Sequence, residues 1–314
     1  MKQLLILSGK GGTGKTTVAS AFIKLSEAKT YADCDVDAPN LHLITEKKSE
    51  PVTSDYYGMP QAEIDPALCI SCDLCRQHCR FDAISVDETY RVNHFACEGC
   101  GVCEYVCPVG AATLQPAVAG KLMLFHDDEE VFSTAQLNMG SGNTGLLVTE
   151  VKKQMKSQAT SDFAIIDGSP GIGCPVIASL SGVDMVLIVA EPSVSGISDM
   201  ERIIDTAAKF GTETVVCVNK YDTNSKITHE IEIFCQQHGL PFVGRIPFDT
   251  KAVKAINSGR SIIDIDCISG EAVKQVFQQT MELLLNRRDS KKGSGIAINH
   301  HFSSETETHS NKES

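Results

Sequence analysis

The sequence contains no apolar run near the ~20 residues that a membrane-spanning helix needs, which argues against a helical membrane protein. Basic residues are also few. Lys and Arg number 28 against 40 Asp and Glu, a net charge of -12, and a nucleic-acid surface needs clustered cations to neutralise phosphates. Only a local basic patch stays open. No signal-peptide pattern precedes the first apolar run, so the chain is expected in the cytoplasm, where thiols stay reduced. The 13 cysteines therefore point to metal rather than to disulfides. With 42% hydrophobic residues, 314 residues can bury one α/β core and still carry a small extra module.

What is present begins with Gly9, Lys10, Gly11, Gly12, Thr13, Gly14, Lys15, Thr16 and Thr17, set between the apolar run Leu4 to Leu7 and a helical pattern starting near Lys15. Glycines let the backbone curl so that several N–H groups face one anion, and the helix N-terminus adds positive potential. In this phosphate-binding loop Lys15 reaches the β- and γ-phosphates and the Thr16 hydroxyl sits on Mg²⁺. The competing reading is a plain glycine-rich turn. It does not account for the placement between strand and helix.

With Lys10 included, the string G-K-G-G-x-G-K-T-T resembles the deviant Walker A motif of the MinD/ParA family of P-loop ATPases, to which the nitrogenase iron protein and the Mrp-type iron–sulfur carriers belong. The resemblance runs through most of residues 1–286 and implies a homodimer when ATP is bound, with Lys10 touching the partner's phosphates. It lays Asp35, in the run Asp33 to Asn40, on the aspartate that orients the attacking water, with Asp33 nearer the loop and magnesium. Phe163 to Asp167 is a buried-strand run ending in an acid before Gly168, Ser169, Pro170 and Gly171, and reads as Walker B and switch II. There Asp167 holds Mg²⁺ through water and Gly171 moves with the γ-phosphate. Lys10, Lys15 and Asp35 are thus the catalytic candidates.

Cys69, Cys72, Cys75 and Cys79 form C-x2-C-x2-C-x3-C, and Cys97, Cys100, Cys103 and Cys107 repeat it 28 positions later. Soft thiolates at these spacings can surround an iron–sulfur cube; zinc is the alternative for any one pair, though it does not explain the duplication. The stretch resembles a bacterial two-cluster ferredoxin. That resemblance implies two [4Fe–4S] clusters, one on Cys69, Cys72, Cys75 and Cys107, the other on Cys97, Cys100, Cys103 and Cys79. Pro108 follows Cys107 as usual, but Arg80 follows Cys79, and a cation there favours the reduced form of the nearby cluster. Cys174 lies seven positions after Asp167, as does a cluster ligand of the nitrogenase iron protein, yet no cysteine occurs between Cys107 and Cys174. A buried residue at a helix start is the simpler expectation for it.

Other segments complete the pattern. Residues 46–58 are polar and read as a domain boundary. Gly140 to Gly145 is a glycine-rich loop before a helix from Leu146 to Met155, and Ser195 is a candidate cap for a helix through Phe210. Asn219, Lys220, Tyr221 and Asp222 spell N-K-x-D, which reads guanine in GTPases; in the MinD/ParA family the asparagine meets adenine, and the lysine-rich loop favours ATP. Pro247, Phe248 and Asp249 resemble that family's base-adjacent loop. Val273, Val276, Phe277, Thr280, Met281 and Leu284 share one helical face, a core stripe. The polar tail from Arg287, with His300, His301 and His309, is expected to be disordered and lacks the amphipathic membrane pattern of MinD.

The expected architecture is α/β, a doubly wound, mostly parallel P-loop sheet in two parts, 1–58 and 120–286, with a small α+β ferredoxin-like insert at 59–119 and a tail at 287–314. The expected function is a nucleotide-switched ATPase with ATP, Mg²⁺ and two [4Fe–4S] clusters, exchanging electrons with a redox or iron–sulfur partner protein. The alternatives are an iron–sulfur cluster carrier or assembly factor and a redox-sensing switch. Isolated Cys217, Cys235 and Cys267 offer no C-x-x-C pair of the Mrp kind.

Overall fold

The computed structural model describes residues 1–45 and 49–286; the tail with its three histidines lies outside the described residues. In chain order the regular elements are β1 (Lys2–Leu7), α1 (Lys15–Ser26), β2 (Thr30–Asp33), β3 (Val52–Tyr57), β4 (Gln61–Ile64), α2 (Leu74–His78), β5 (Ile84–Val86), β6 (Tyr90–Val92), α3 (Val102–Val106), β7 (Ala112–Gln115), β8 (Val118–His126) and β9 (Val131–Leu137). They continue as α4 (Thr144–Gln158), β10 (Phe163–Asp167), α5 (Cys174–Leu180), β11 (Met185–Ala190), α6 (Val194–Lys209), β12 (Glu213–Asn219), α7 (Ser225–Gln237), β13 (Phe242–Ile246), α8 (Thr250–Asn257) and α9 (Ile268–Asn286).

One sheet has the order β13-β12-β11-β1-β10-β2-β9-β8-β3, parallel from β13 to β9 and antiparallel at the β8 and β3 edge. Its central strands are apolar on both faces, as a sheet covered by helices on each side requires. Leu5, Leu7, Ile166 and Val186 pack against α4 through Leu147 and Val151 on one face. Leu4, Ile6, Ile165 and Leu187 pack against α1 and α9 on the other, where the Val273, Val276, Thr280 and Leu284 stripe is buried. Because the strands run parallel, the loops after β1, β2 and β10 meet along one edge.

One strand carries no signal in the sequence, and one cap is corrected. The polar stretch before Gly58 holds β3, which pairs with β8; only Tyr56 of it is buried, and an edge strand so exposed carries little apolar signal. The cap of α6 is Ser193, whose side chain accepts from Gly196 N, and Ser195 lies inside the helix.

Residues 58–117 form a separate small unit between β3 and β8. It contains the β4–β7 pair, the β5–β6 hairpin and two short helices around Ala62, Ile84, Cys103 and Ala112. The 28-residue duplication is visible in the backbone. Ser71, Asp73 and Asp82 have φ of 57°, 64° and 48°, and their counterparts are Gly99, Gly101 and Gly110 at 63°, 75° and 67°. The second copy has glycine where the first holds side chains in a left-handed conformation.

Candidate nucleotide site and cysteine cavities

The loop between β1 and α1 wraps one end of a cavity of about 1140 Å³ that continues past Asp35 and Ser169 to Asn219, Pro247 and Phe248. Gly14 has φ 92°, and a Cβ added there would lie 2.2 Å from Asn219 Nδ2, so no larger residue fits. Asn219 Nδ2 donates to Thr13 O at 2.6 Å and Lys220 Nζ donates to Gly12 O at 2.8 Å, fastening the loop from outside.

Lys15 is buried among carboxylates. Its ammonium lies 2.5 Å from Asp167 Oδ1 and 3.9 Å from Asp35 Oδ2. Burial alone would lower its pKa, but Asp167, Asp33 and Asp35 together raise it, so the ammonium is held charged. Asp33 is fully buried and accepts from the backbone N–H of Asp35, Asn40 and Leu41, each at 3.0 Å. Burial, and then Asp167, push its pKa up against those donors and Lys15. Asp35 is pushed up to about 6, chiefly by burial. The site carries more acid than its one buried lysine balances.

Asp167 Oδ2 is buried without a hydrogen-bond partner. A buried acceptor left unpaired is costly, and a cation completes it. Lys15 Nζ, beside Asp167, also lies 3.4 Å from the Thr16 hydroxyl, and with it the donor set is hard oxygen, which fits Mg²⁺.

Lys10 is held within its own chain, 2.8 Å from Glu191 Oε2 and 3.3 Å from Ser193 Oγ; Glu191 also lies 3.7 Å from Lys220. The role of Glu191 was not legible in the sequence, since only the fold brings the end of β11 beside the loop. Asp222 Oδ1 accepts from Phe248 N at 2.8 Å, so the acid of N-K-x-D is engaged with the 247–249 loop. Cys174 starts α5, but it is exposed rather than buried, because the segment 171–174 runs over the surface. Cys217, Cys235 and Cys267 are buried in the core.

In the small unit, one cavity is lined by Cys69, Cys72, Cys75 and Cys107 and another by Cys79, Cys97, Cys100 and Cys103. Backbone N–H groups approach the sulfurs, Ala111 N at 3.2 Å from Cys107 and Ala62 N at 3.4 Å from Cys97. Such donors favour thiolate: the Cys107 pKa is lowered, first by the backbone N–H of Ala112. Among the described residues no group of three or more His, Cys, Asp or Glu closes as a single-ion site. Four cysteine sulfurs line each cavity, a soft donor set of the kind that suits iron–sulfur chemistry.

The sequence matches the CobQ/CobB/MinD/ParA nucleotide binding domain over residues 4–262. The chain belongs to this family. Uncharacterized protein MJ0578 of Methanocaldococcus jannaschii is 30% identical over 90% of this chain and 97% of its own length. The iron-sulfur cluster carrier protein of Pyrococcus horikoshii is 24% identical over 93% of this chain and 88% of the carrier. The septum site-determining protein MinD of Pyrococcus horikoshii, solved with Mg-ADP, superposes with a TM-score of 0.54 at 16% identity, covering 90% of this chain and 96% of MinD. That likeness establishes the α/β fold. Among the described residues no helix is long and apolar enough to cross a membrane.

Proposed function

We propose that this MinD/ParA-family chain is a nucleotide-switched ATPase that carries two [4Fe–4S] clusters and exchanges electrons with a partner protein. The observation that carries the reading is the pair of four-cysteine cavities in a unit inserted into a sheet whose edge bears a complete phosphate loop. Lys15 and the N–H groups of the loop bind the phosphates, and Thr16 and Asp167 hold Mg²⁺. Asp35, which lines the cavity, orients water by accepting its hydrogen bonds. Lys10 leaves Glu191 for the phosphates of a second copy in an ATP-bound homodimer. The clusters supply one-electron redox capacity when bound; the chain's own cysteines fix their position and N–H donors tune them.

The base is adenine in this reading. A guanine-reading aspartate keeps its carboxylate for the base, whereas Asp222 already accepts Phe248 N. Pro247 and Phe248 then line the base end of the cavity.

The test is anaerobic purification followed by iron analysis and nucleotide binding. About eight irons per chain, falling by about half in Cys72→Ser, with ATP bound and GTP not, is the expected result. Zinc in place of iron, or no ATP binding, overturns it. The relatives named iron-sulfur cluster carrier protein favour a second reading, cluster delivery. Transfer of iron to an apo-protein under non-reducing conditions supports delivery, and clusters retained through repeated redox cycles support electron exchange.

A further inference from the structure

The two cysteine cavities stand differently toward the nucleotide edge. Phe95 and Glu98 flank Cys97, and Glu98 lines the cavity of Cys79, Cys97, Cys100 and Cys103. Both meet the glycine loop that precedes α4. A Cβ added at Gly140 would lie 3.0 Å from Phe95 Cδ1, and one at Gly142 would lie 4.0 Å from Glu98 Oε2.

The same loop is tied to both segments that face the γ-phosphate position. On one side Leu137 N donates to Val36 O at 2.9 Å, joining the loop's first residues to the chain between Asp35 and Asp37. On the other, a Cβ added at Gly145 would lie 3.2 Å from Cys174 O, so the start of α4 sits directly on the start of α5. Lys152 Nζ donates to Ala178 O at 3.1 Å, to Ser181 O at 2.7 Å and to Ser179 O, fixing α4 to the far end of α5 as well. α5 is thus held against α4 at both of its own ends, at Gly145 and at Lys152 in the middle of α4, and α5 begins three residues after Gly171. Both nucleotide-facing segments are in contact with the residues that bound loop 138–143, one at Leu137 and the other at Gly145.

We propose that loop 138–143 transmits nucleotide state to the cavity of Cys79, Cys97, Cys100 and Cys103 through Phe95 and Glu98, and that the cavity of Cys69, Cys72, Cys75 and Cys107 lies outside this route. The inference rests on the nucleotide and cluster assignments of the proposed function. Its physical content is a shared element that two sites both bias. A Cβ at Gly140 would crowd Phe95 of the small unit and one at Gly145 would crowd the start of α5, whereas one at Gly142 would meet Glu98 only at ordinary contact distance.

Hydrogen–deuterium exchange on the anaerobic, iron-loaded chain, with and without Mg²⁺ and a non-hydrolysable ATP analogue, tests this. Protection of 9–17 reports nucleotide binding. The expected result is that exchange in 138–146 and in 93–101 changes by about tenfold while 66–76 does not change, within the usual range for coupled sites. In Phe95→Ala, a change at an exposed side chain, 138–146 still responds and 93–101 no longer does. Protection of 9–17 without change in 93–101 overturns the route and leaves the proposed function standing, as does an equal response in 66–76. A Phe95→Ala chain whose 93–101 still responds overturns the contact. Absence of protection at 9–17 overturns the nucleotide assignment and this inference with it.

Discussion

Lys15 is the one buried cation set against Asp33, Asp35 and Asp167, so its removal leaves buried carboxylates without a counter-charge. Breaking a buried pair costs about 3–5 kcal/mol, reduced to the extent that the acids take up protons. Lys15→Met is therefore expected to lower denaturant stability by about 3 kcal/mol and to abolish nucleotide binding; chemical unfolding and equilibrium dialysis check both. Lys152 is a second buried lysine, and burial lowers its pKa to about 8 although Cys34 opposes and Lys156 assists that fall. The unfolded chain then binds more protons than the folded one between about pH 8 and the ordinary lysine pKa of about 10.4, so this group makes stability rise with pH across that window. Comparing unfolding of the wild type and Lys152→Met at pH 7.5 and 10 isolates the slope. At the duplication, Ser71 occupies a left-handed conformation whose counterpart is Gly99. Ser71→Gly is expected to stabilise the small unit by up to about 1 kcal/mol, read as a higher midpoint for its unfolding.

Elements divide by how local their signals are. The sequence reads strands over Phe163 to Asp167, Asp184 to Ala190 and Phe242 to Ile246, and β10, β11 and β13 lie within one residue of them, while β1 begins two residues before the apolar run Leu4 to Leu7. The sequence offers Ala28 to Ala32 as a short strand and β2 runs from Thr30 to Asp33, while β3 is not visible at all, because exposed edge strands bury almost nothing. The glycine-rich loop after β1, the acids that end β2 and β10 and the cysteine repeat are also legible, since each is a contiguous string with its own chemistry. Contacts made across the fold are not: Glu191 with Lys10, Asp222 with Phe248 N, and Phe95 with Gly140 join residues remote in sequence. Arg80, exposed beside Cys79, belongs to this scale because it distinguishes the two cysteine motifs. Arg80→Ala is expected to lower the midpoint potential of the Cys79-bound cluster while leaving the other unchanged, by redox titration.

For the whole molecule, the sheet edge carries the cavity beside the phosphate loop, and the small unit lies between β3 and β8 with Phe95 against the loop that joins β9 to α4. In the single chain Lys10 is retained by Glu191. Glu191→Gln weakens that hold, so ATP-dependent dimers are expected at about fivefold lower protein concentration, the size of a partly exposed ion pair, by sedimentation. In the proposed function, nucleotide occupancy and cluster chemistry are energetically linked. Redox titration by electron paramagnetic resonance, on anaerobic protein without nucleotide and with a non-hydrolysable ATP analogue, tests this directly. Two cluster signals are expected, with the midpoint potential of the Cys79, Cys97, Cys100 and Cys103 cluster shifted by the analogue and the other unmoved. Two signals whose potentials and line shapes are identical in both states would contradict it.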